Sequence, residues 1–177
     1  MLSKAHIRKA MKEAVAAISA QERERREQVL ATDISRLLEQ KVGVVALYMA
    51  MPDEIGTNAL IEMLSSKGWR IVVPAVCGGE MDFFDYNAAS LHEGQWGIFE
   101  PEVKNAIYVE DIDIMIVPGR AFTKEGHRLG RGKGYYDRFL ARQGFRALTI
   151  GVCFKEQIVE ELPIEPHDKI MGIVIFA

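Results

Sequence analysis

One stretch of the chain concentrates side chains able to handle a charged ligand: Gly126-His-Arg-Leu-Gly130-Arg-Gly132-Lys-Gly134-Tyr-Tyr-Asp137. Four glycines within nine positions let the backbone take positive φ and come close to a ligand. Arg128, Arg131 and Lys133 are interleaved with them, and a helix is predicted to begin near Gly134. Backbone amides at a helix N-terminus, beside guanidinium and ammonium groups, make an anion site. The chemistry indicated is the handling of a nucleotide phosphate. Asp137 falls in the first helical turn, where a carboxylate is electrostatically favoured. Two phosphate-loop patterns do not fit. The P-loop needs Gly where His127 stands and Ser or Thr where Gly134 stands. The dinucleotide fingerprint needs a short strand-to-helix turn, whereas this loop trails its strand by about a dozen residues. On spacing alone, a flexible surface turn rich in Gly and Arg stays open as an alternative.

The rest of the chain sets bounds on that chemistry. A length of 177 residues suits one domain, residues 1–177, able to bury a core without disulfides or a structural metal. The formal charge of −3 argues against a general nucleic-acid footprint. Cys77 and Cys153 lie far apart without a zinc-like spacing, and both are expected as small buried hydrophobes in a reducing cytosol. The opening MLSKAHIRKAMKEA is amphipathic and charged, so no secretory signal is expected. No apolar run is long enough to predict a membrane span.

The positioning elements follow from periodicity. Ile7, Met11, Ala14 and Ile18 define one helical face. Ser19 and Glu22 then have the spacing of a capping box that starts a second helix. The charge-rich opening of that helix, Gln21 to Gln28, reads as solvated, and Leu30, Ile34, Leu37 and Leu38 as its docked stripe. Val42 to Met49 is predicted as a strand buried on both faces, followed by a helix over Thr57 to Ser66 that Gly68 stops, and by a parallel strand at Ile71 to Val73. Gly78-Gly79 turns the chain into an edge hairpin at Met81 to Tyr86. Residues 87–111 carry little pattern and read as a long loop with some short structure. Further strands are predicted at Ile112 to Val117, Ala147 to Cys153 and Ile170 to Phe176. Tyr136, Phe139 and Leu140 mark a helix ended by Gly144, and Lys155 to Glu161 another. This alternation predicts a three-layer α/β/α domain on a mostly parallel sheet.

Several ordered motifs then carry a resemblance. Pro118-Gly-Arg-Ala-Phe122 followed by the Gly126 to Arg138 segment closely resembles the signature of the 5-formyltetrahydrofolate cyclo-ligases, also called methenyltetrahydrofolate synthetases. Met51-x-Asp-Glu54-Ile, Trp96-Gly-Ile-x-Glu-Pro101, Phe154-Lys-Glu-Gln157, His167-Asp168 and the basic helix bearing Lys4 and Arg8 fall in the same order. Phe99 stands where the family usually has Pro, Arg120 where it has an aliphatic residue, and Thr123 where an acid is common.

The resemblance implies ATP- and Mg²⁺-dependent closure of 5-formyltetrahydrofolate to 5,10-methenyltetrahydrofolate, with release of ADP and phosphate. The formyl oxygen attacks the γ-phosphorus to give an iminium phosphate, and N10 then displaces phosphate. It also implies an architecture similar to sugar-phosphate isomerases and CoA-transferases, a cytoplasmic monomer, and no nucleic-acid or membrane partner. Carried onto this sequence, Arg128, Gly130, Arg131, Gly132, Lys133 and Gly134 would cradle the triphosphate with Lys4 and Arg8, Tyr135 and Tyr136 completing the nucleotide side. Arg131, Lys133 and Tyr135 would act in catalysis, and Asp137 and Asp168 would hold Mg²⁺. Met49, Met51, Glu54, Trp96 and Tyr135 would contact the folate. Taken without the family, Lys4 and Arg8 are an ordinary solvated helix face, Asp137 a helix-start carboxylate and the two methionines core. An isomerase-like enzyme, or a nucleotide- or folate-binding regulator without turnover, would share the fold without consuming ATP.

Overall fold

Side-chain alternation sets the centre of this molecule, whose computed structural model describes residues 2–94 and 99–177. In β1 (Val44–Ala46) and the residue after it, Val45 and Leu47 face one core while Ala46 faces the other. The same switch occurs between Val72 and its neighbours Ile71 and Val73 in β2 (Arg70–Cys77). It recurs between Ile114/Ile116 and Met115/Val117 in β6 (Ile114–Pro118), and between Val152 and Cys153 in β9 (Leu148–Cys153). Strands apolar on both faces must be covered on both, and a parallel sheet is the arrangement that allows it.

The sheet runs β3-β2-β1-β6-β9-β10, with β3 spanning Glu80–Asp85 and β10 Ile173–Phe176. All pairings are parallel except the β2–β3 hairpin at one edge. Val45 lies opposite both Ile71 and Ile114, which centres β1 between β2 and β6. Helices α1 (Lys4–Ala16), α2 (Ala20–Leu37) and α3 (Asn58–Ser66) cover one face through Val15, Leu30, Ile34, Leu60, Ile61 and Leu64. Short α4 (Tyr135–Leu140) covers the other, its Phe139 meeting Phe83 edge-on with ring centroids 4.9 Å apart. The three-layer, mostly parallel α/β fold is as the periodicity predicts. Between the two faces the small hairpins β4 (His92–Glu93) with β5 (Phe99–Glu100), and β7 (Ala121–Phe122) with β8 (Arg128–Leu129), interrupt the loops.

Some boundaries differ from the expected ones. Val42 is exposed, and although the Leu47 amide still bonds the Val72 carbonyl of β2 at 2.9 Å, Tyr48 and Met49 leave the ladder, so the apolar run from Val42 outlasts its strand; its second half is apolar because helices cover it. Val15, not Ala14, is the fully buried residue of that part of α1, and Leu37 of the expected α2 stripe faces solvent. Ser19 accepts the Glu22 amide as expected, but the Glu22 carboxylate turns to Arg25 and Arg26 and does not close a box. The opening of α2 is not wholly solvated, since Arg26 is buried between Glu22 and Glu156. Lys155–Gln157 is a single 3₁₀ turn instead of a helix to Glu161, and Cys77, expected inside, is exposed at the end of β2, where the chain turns into β3. Among the described residues no helix is long and apolar enough to cross a membrane.

The topology creates one special place. From β1 the chain passes through α3 to β2 on one side, while β6 lies on the other side of β1. Connections leave the carboxyl ends of β1 and β6 in opposite directions there, opening the crevice in which open α/β sheets bind ligands.

Candidate active site

Two loops form the walls of that crevice. The first leaves β1 and is held from within and from α2. Tyr48 donates its hydroxyl to the Ile55 carbonyl at 2.7 Å, and the Thr57 hydroxyl donates to the Tyr48 carbonyl at 2.6 Å. Buried Glu54 accepts the Met51 amide on Oε2 at 3.0 Å, which leaves Oε1 aimed across the crevice. From α2, Arg23 donates to the carbonyls of Pro52 (2.6 Å) and Glu54 (3.0 Å), with its guanidinium over the Phe154 ring. Glu27 accepts the Gly56 amide at 2.8 Å. The charged opening of α2 is therefore a brace for this loop.

The second loop leaves β6 and contains the glycine- and arginine-rich stretch. Fully buried Gln157 donates its side-chain amide to the carbonyls of Gly119 and Arg120, both at 3.0 Å, and accepts the Phe154 amide. Gly132 (φ 97°) and Gly134 (φ 68°) take left-handed backbone, a conformation that other residues rarely adopt, and Gly134 caps α4. Arg138 holds the carbonyl of Lys133 at 2.9 Å and lies over the Tyr135 ring. Arg128 is buried under the loop, donating to the Pro118 carbonyl (3.1 Å) and to Asp137 Oδ1 (2.8 Å), above the Tyr136 ring. Its Nε is buried without a partner among the described residues.

Helix α1 closes the end of the crevice with two cations one turn apart. Arg8 donates to the Gly130 carbonyl at 2.8 Å, and its guanidinium also flanks Gly132. Lys4 donates to Asp168 Oδ2 at 3.0 Å and pairs with Glu165 at 3.3 Å. Burial disfavours the Asp168 charge, but the hydrogen bonds from Lys4 and the Glu165 amide outweigh it and hold the carboxyl below its ordinary range. Burial likewise works against the Lys4 ammonium, and its two acidic partners raise it nonetheless.

The loops meet through ion pairs. Arg131 donates Nε to Glu54 Oε1 at 2.8 Å and pairs through Nη2 with Asp53, while Arg120 reaches the other oxygen of Asp53. Burial pushes the Asp53 carboxyl up, and the guanidiniums of Arg131 and Arg120 together bring it below its usual range. The expected phosphate-side and folate-side residues Arg131 and Glu54 are thus in direct contact. Arg8 joins the same loop at Gly130, while Lys4, one turn earlier on α1, pairs with Asp168 and Glu165 of the segment before β10. Met49 and Met51 are half-buried at the end of the first loop, with Met49 packed on the core. Lys133 is exposed, and its ammonium joins no ion pair among the described residues. Tyr136 is clamped between the two cores, where burial pushes its hydroxyl far up, so Tyr135 is the freer of the pair. Trp96 lies outside the described residues.

Four contributors were not legible beforehand: Arg23, Glu27, Gln157 and Arg120. Gln157 and Arg120 had a signal, the first in the Phe154-Lys-Glu-Gln157 motif and the second as an unusual residue in Pro118-Gly-Arg-Ala-Phe122. As for a divalent cation, Asp137 and Asp168 each give one oxygen to a basic partner and keep the other, which fits Mg²⁺ with its preference for a few hard oxygens plus phosphate and water. Glu165, His167 and Asp168 also place potential ligand atoms within 4.8 Å of one another, but the Lys4 ammonium already sits against that cluster.

A basic glycine-rich loop facing an acidic one at the switch point of a parallel sheet defines an α/β protein with a ligand crevice at its strand ends. The 5-formyltetrahydrofolate cyclo-ligase family profile matches residues 1–177. The mouse 5-formyltetrahydrofolate cyclo-ligase is 30% identical over 189 residues, covering 98% of this chain and 93% of the relative. The Haemophilus influenzae protein of the same name is 32% identical, covering 92% and 91%. Among solved structures, the 5,10-methenyltetrahydrofolate synthetase of Aquifex aeolicus superposes with a TM-score of 0.87 at 33% identity, covering 99% of this chain and 90% of that one. That of Mycoplasma pneumoniae gives 0.81 at 26% identity and 98% of each chain. The chain belongs to the 5-formyltetrahydrofolate cyclo-ligase family of enzymes.

Proposed function

We propose that this chain, as a single cytoplasmic domain of residues 1–177 acting as a monomer, converts 5-formyltetrahydrofolate and ATP to 5,10-methenyltetrahydrofolate, ADP and phosphate with Mg²⁺. The observation that best supports this is the contact of Arg131, from the glycine-rich loop, with Glu54 of the opposite loop across the switch point. A ligand seated there would lie between a polyanion-binding wall and an acidic wall. ATP suits the first, and the donor-rich edge of a pterin suits the second.

The formyl oxygen attacks the γ-phosphorus as ADP leaves, giving an iminium phosphate. N10 then bonds to the formyl carbon, phosphate departs with the former formyl oxygen, and the N10 proton passes to solvent. No protein nucleophile is needed, since phosphoryl transfer depends on positioning and on charge stabilisation. Arg131 and Lys133 would neutralise charge on the transferring group, and Tyr135 would border both substrates. The amides and side chains of residues 130–134, with Lys4 and Arg8, would hold the triphosphate. Arg128 would act from beneath, fixing Asp137 by its 2.8 Å bond. Asp137 and Asp168 would hold Mg²⁺, which neutralises phosphate charge when bound.

The test is the growth of methenyltetrahydrofolate absorbance in a mixture of protein, 5-formyltetrahydrofolate, ATP and Mg²⁺. Asp137→Asn should raise the Mg²⁺ concentration needed for half-maximal rate. That readout separates metal binding from the lost support of Arg128, which excess Mg²⁺ would not restore. Folded protein that binds both ligands but leaves ATP unconsumed would instead be a binding regulator.

A further inference from the structure

The carboxylate of Asp53 is shared by two guanidiniums that differ in how firmly they are held. Arg120 is the fixed one: its amide donates to Leu129 at 2.7 Å, its carbonyl accepts from Gln157, and its side chain is only 11% exposed. Its buried Nη1 lies against Asp53 Oδ2 as an ion pair and makes no hydrogen bond among the described residues. Arg131 is the looser one, 29% exposed and adjacent to the left-handed Gly132, on a loop that Arg8 ties down at Gly130. We propose that Arg120 is a positioning residue for nucleotide binding: it keeps Asp53 neutralised when Arg131 swings from Asp53 and Glu54 to the ligand phosphates. This inference rests on the phosphate-binding role given to Arg131 above.

The physical need is specific. Asp53 is only 21% exposed, and a partly buried carboxylate that loses its sole cation is costly. With Arg120 in place the departure of Arg131 leaves one full ion pair behind. Without it, the swing of Arg131 to a phosphate would leave the Asp53 charge unpaired, and that penalty would weaken nucleotide binding. Glu54, 8% exposed, keeps only the Met51 amide once Arg131 leaves, and in the function proposed above the donors of the folate ring would replace that cation.

The experiment is calorimetric titration of the β,γ-imido analogue of ATP with Mg²⁺ into the full chain, with folding checked by circular dichroism. Arg120→Leu should weaken binding roughly tenfold, the scale of coupling between groups in one network. Arg120→Lys, which keeps the charge without the rigid fork, should recover part of it. Asp53→Asn should tighten binding about threefold, because Arg131 loses a competitor for its charge. The double variant Arg120→Leu/Asp53→Asn should match Asp53→Asn alone, an erasure that a merely structural role for Arg120 would not give. An unchanged affinity in Arg120→Leu, or a loss that persists in the double variant, overturns the exchange while leaving nucleotide binding intact. If Arg120→Leu does not fold, Asp53→Asn decides alone: binding equal to or weaker than wild type overturns it. Folded wild type that fails to bind the analogue overturns both the exchange and the proposed function.

Discussion

Gly56→Ala offers a sharp test of how the acidic loop is held. A Cβ built on Gly56 would lie 2.7 Å from the Glu27 carboxyl carbon and 2.7–2.8 Å from its oxygens. Ordinary contacts there run to about 3.5 Å or more, so something must move by nearly 1 Å. The Glu27 carboxylate ends a flexible side chain and can swing away, but it is also the acceptor of the Gly56 amide at 2.8 Å. The substitution therefore exchanges a charged hydrogen bond, worth about 1.5–3 kcal/mol when buried and less at this half-buried site, for water. Against that, replacing glycine at an ordinary φ removes unfolded-chain entropy worth about 0.4–1 kcal/mol. The net loss is about 1 kcal/mol, or roughly 3 °C in a thermal melt of a chain this size. The local consequence should be larger than the global one, because residues 51–56 carry Glu54. The absorbance assay should show KM for 5-formyltetrahydrofolate rising about fivefold, the order of 1 kcal/mol, with KM for ATP nearly constant. Glu27→Gln, which keeps an acceptor, should show a smaller effect in the same direction. Wild-type folate KM in Gly56→Ala, together with an unchanged or higher melting temperature, would refute the reasoning, since it would mean that α2 does not brace this loop.

Other outcomes follow from the same geometry. Arg131→Ala should lower kcat/KM by roughly 10² to 10³, the effect of removing one preorganised contact to developing charge, and a loss under tenfold would argue that the loop does not address the reacting phosphate. Phe122, fully buried and wedged against Gly119 and Gly151, should cost about 3–5 kcal/mol on change to Ala, seen as a melting temperature about 10 °C lower. Acid stability follows from carboxyls depressed in the folded state: burial opposes the depression at Asp53 and Asp168 but their basic partners prevail, Arg70 depresses Asp85, and Arg25 and Arg26 hold Glu22 down to about 2. Each such group gives its full contribution above its ordinary value near 4, and loses it as pH falls through the depressed folded value. The urea midpoint should hold steady from about pH 7 to 5 and decline between about 4.5 and 2; a flat midpoint down to pH 2.5 would contradict these pairings.

What the sequence disclosed, and what it hid, follows from the range of each interaction. Strands β6 and β9 and helix α3 were legible because burial on a face imposes a local period. The β2–β3 hairpin was legible because Gly78-Gly79 announces its turn. The end of β1 was not, because Tyr48 and Met49 are apolar for coverage by helices and not for strand pairing. The glycine- and arginine-dense loop stood out by composition, whereas its supports did not. Arg23 and Glu27 sit in a run of charge that resembles any solvated helix face, and only the approach of residues 52–56 gives them partners. Arg120 could be seen as an unusual residue, but its partner Asp53 is 67 positions away in sequence and is brought near by the parallel pairing of β1 and β6.

The site therefore answers an electrostatic problem by pairing its two walls with each other. A crevice meant for a triphosphate must gather cations, and one meant for a donor-rich ring must gather carboxylates; either wall alone would repel itself. With Arg131 on Glu54 and Asp53, each wall neutralises the other. The Arg131–Asp53 pair, with side chains 29% and 21% exposed, is worth only about 1 kcal/mol, whereas Glu54 is 8% exposed and its pair with Arg131 is the more enclosed of the two. The deep pair Arg128–Asp137 is of another kind, 4% and 20% exposed and backed by the Pro118 carbonyl, and breaking it would leave a buried guanidinium uncompensated. On the proposed function the pairs of Arg131 would exchange partners with the substrates while the buried Arg128–Asp137 pair stays fixed, so substitutions at Arg131 should fall on turnover and those at Arg128 on folding.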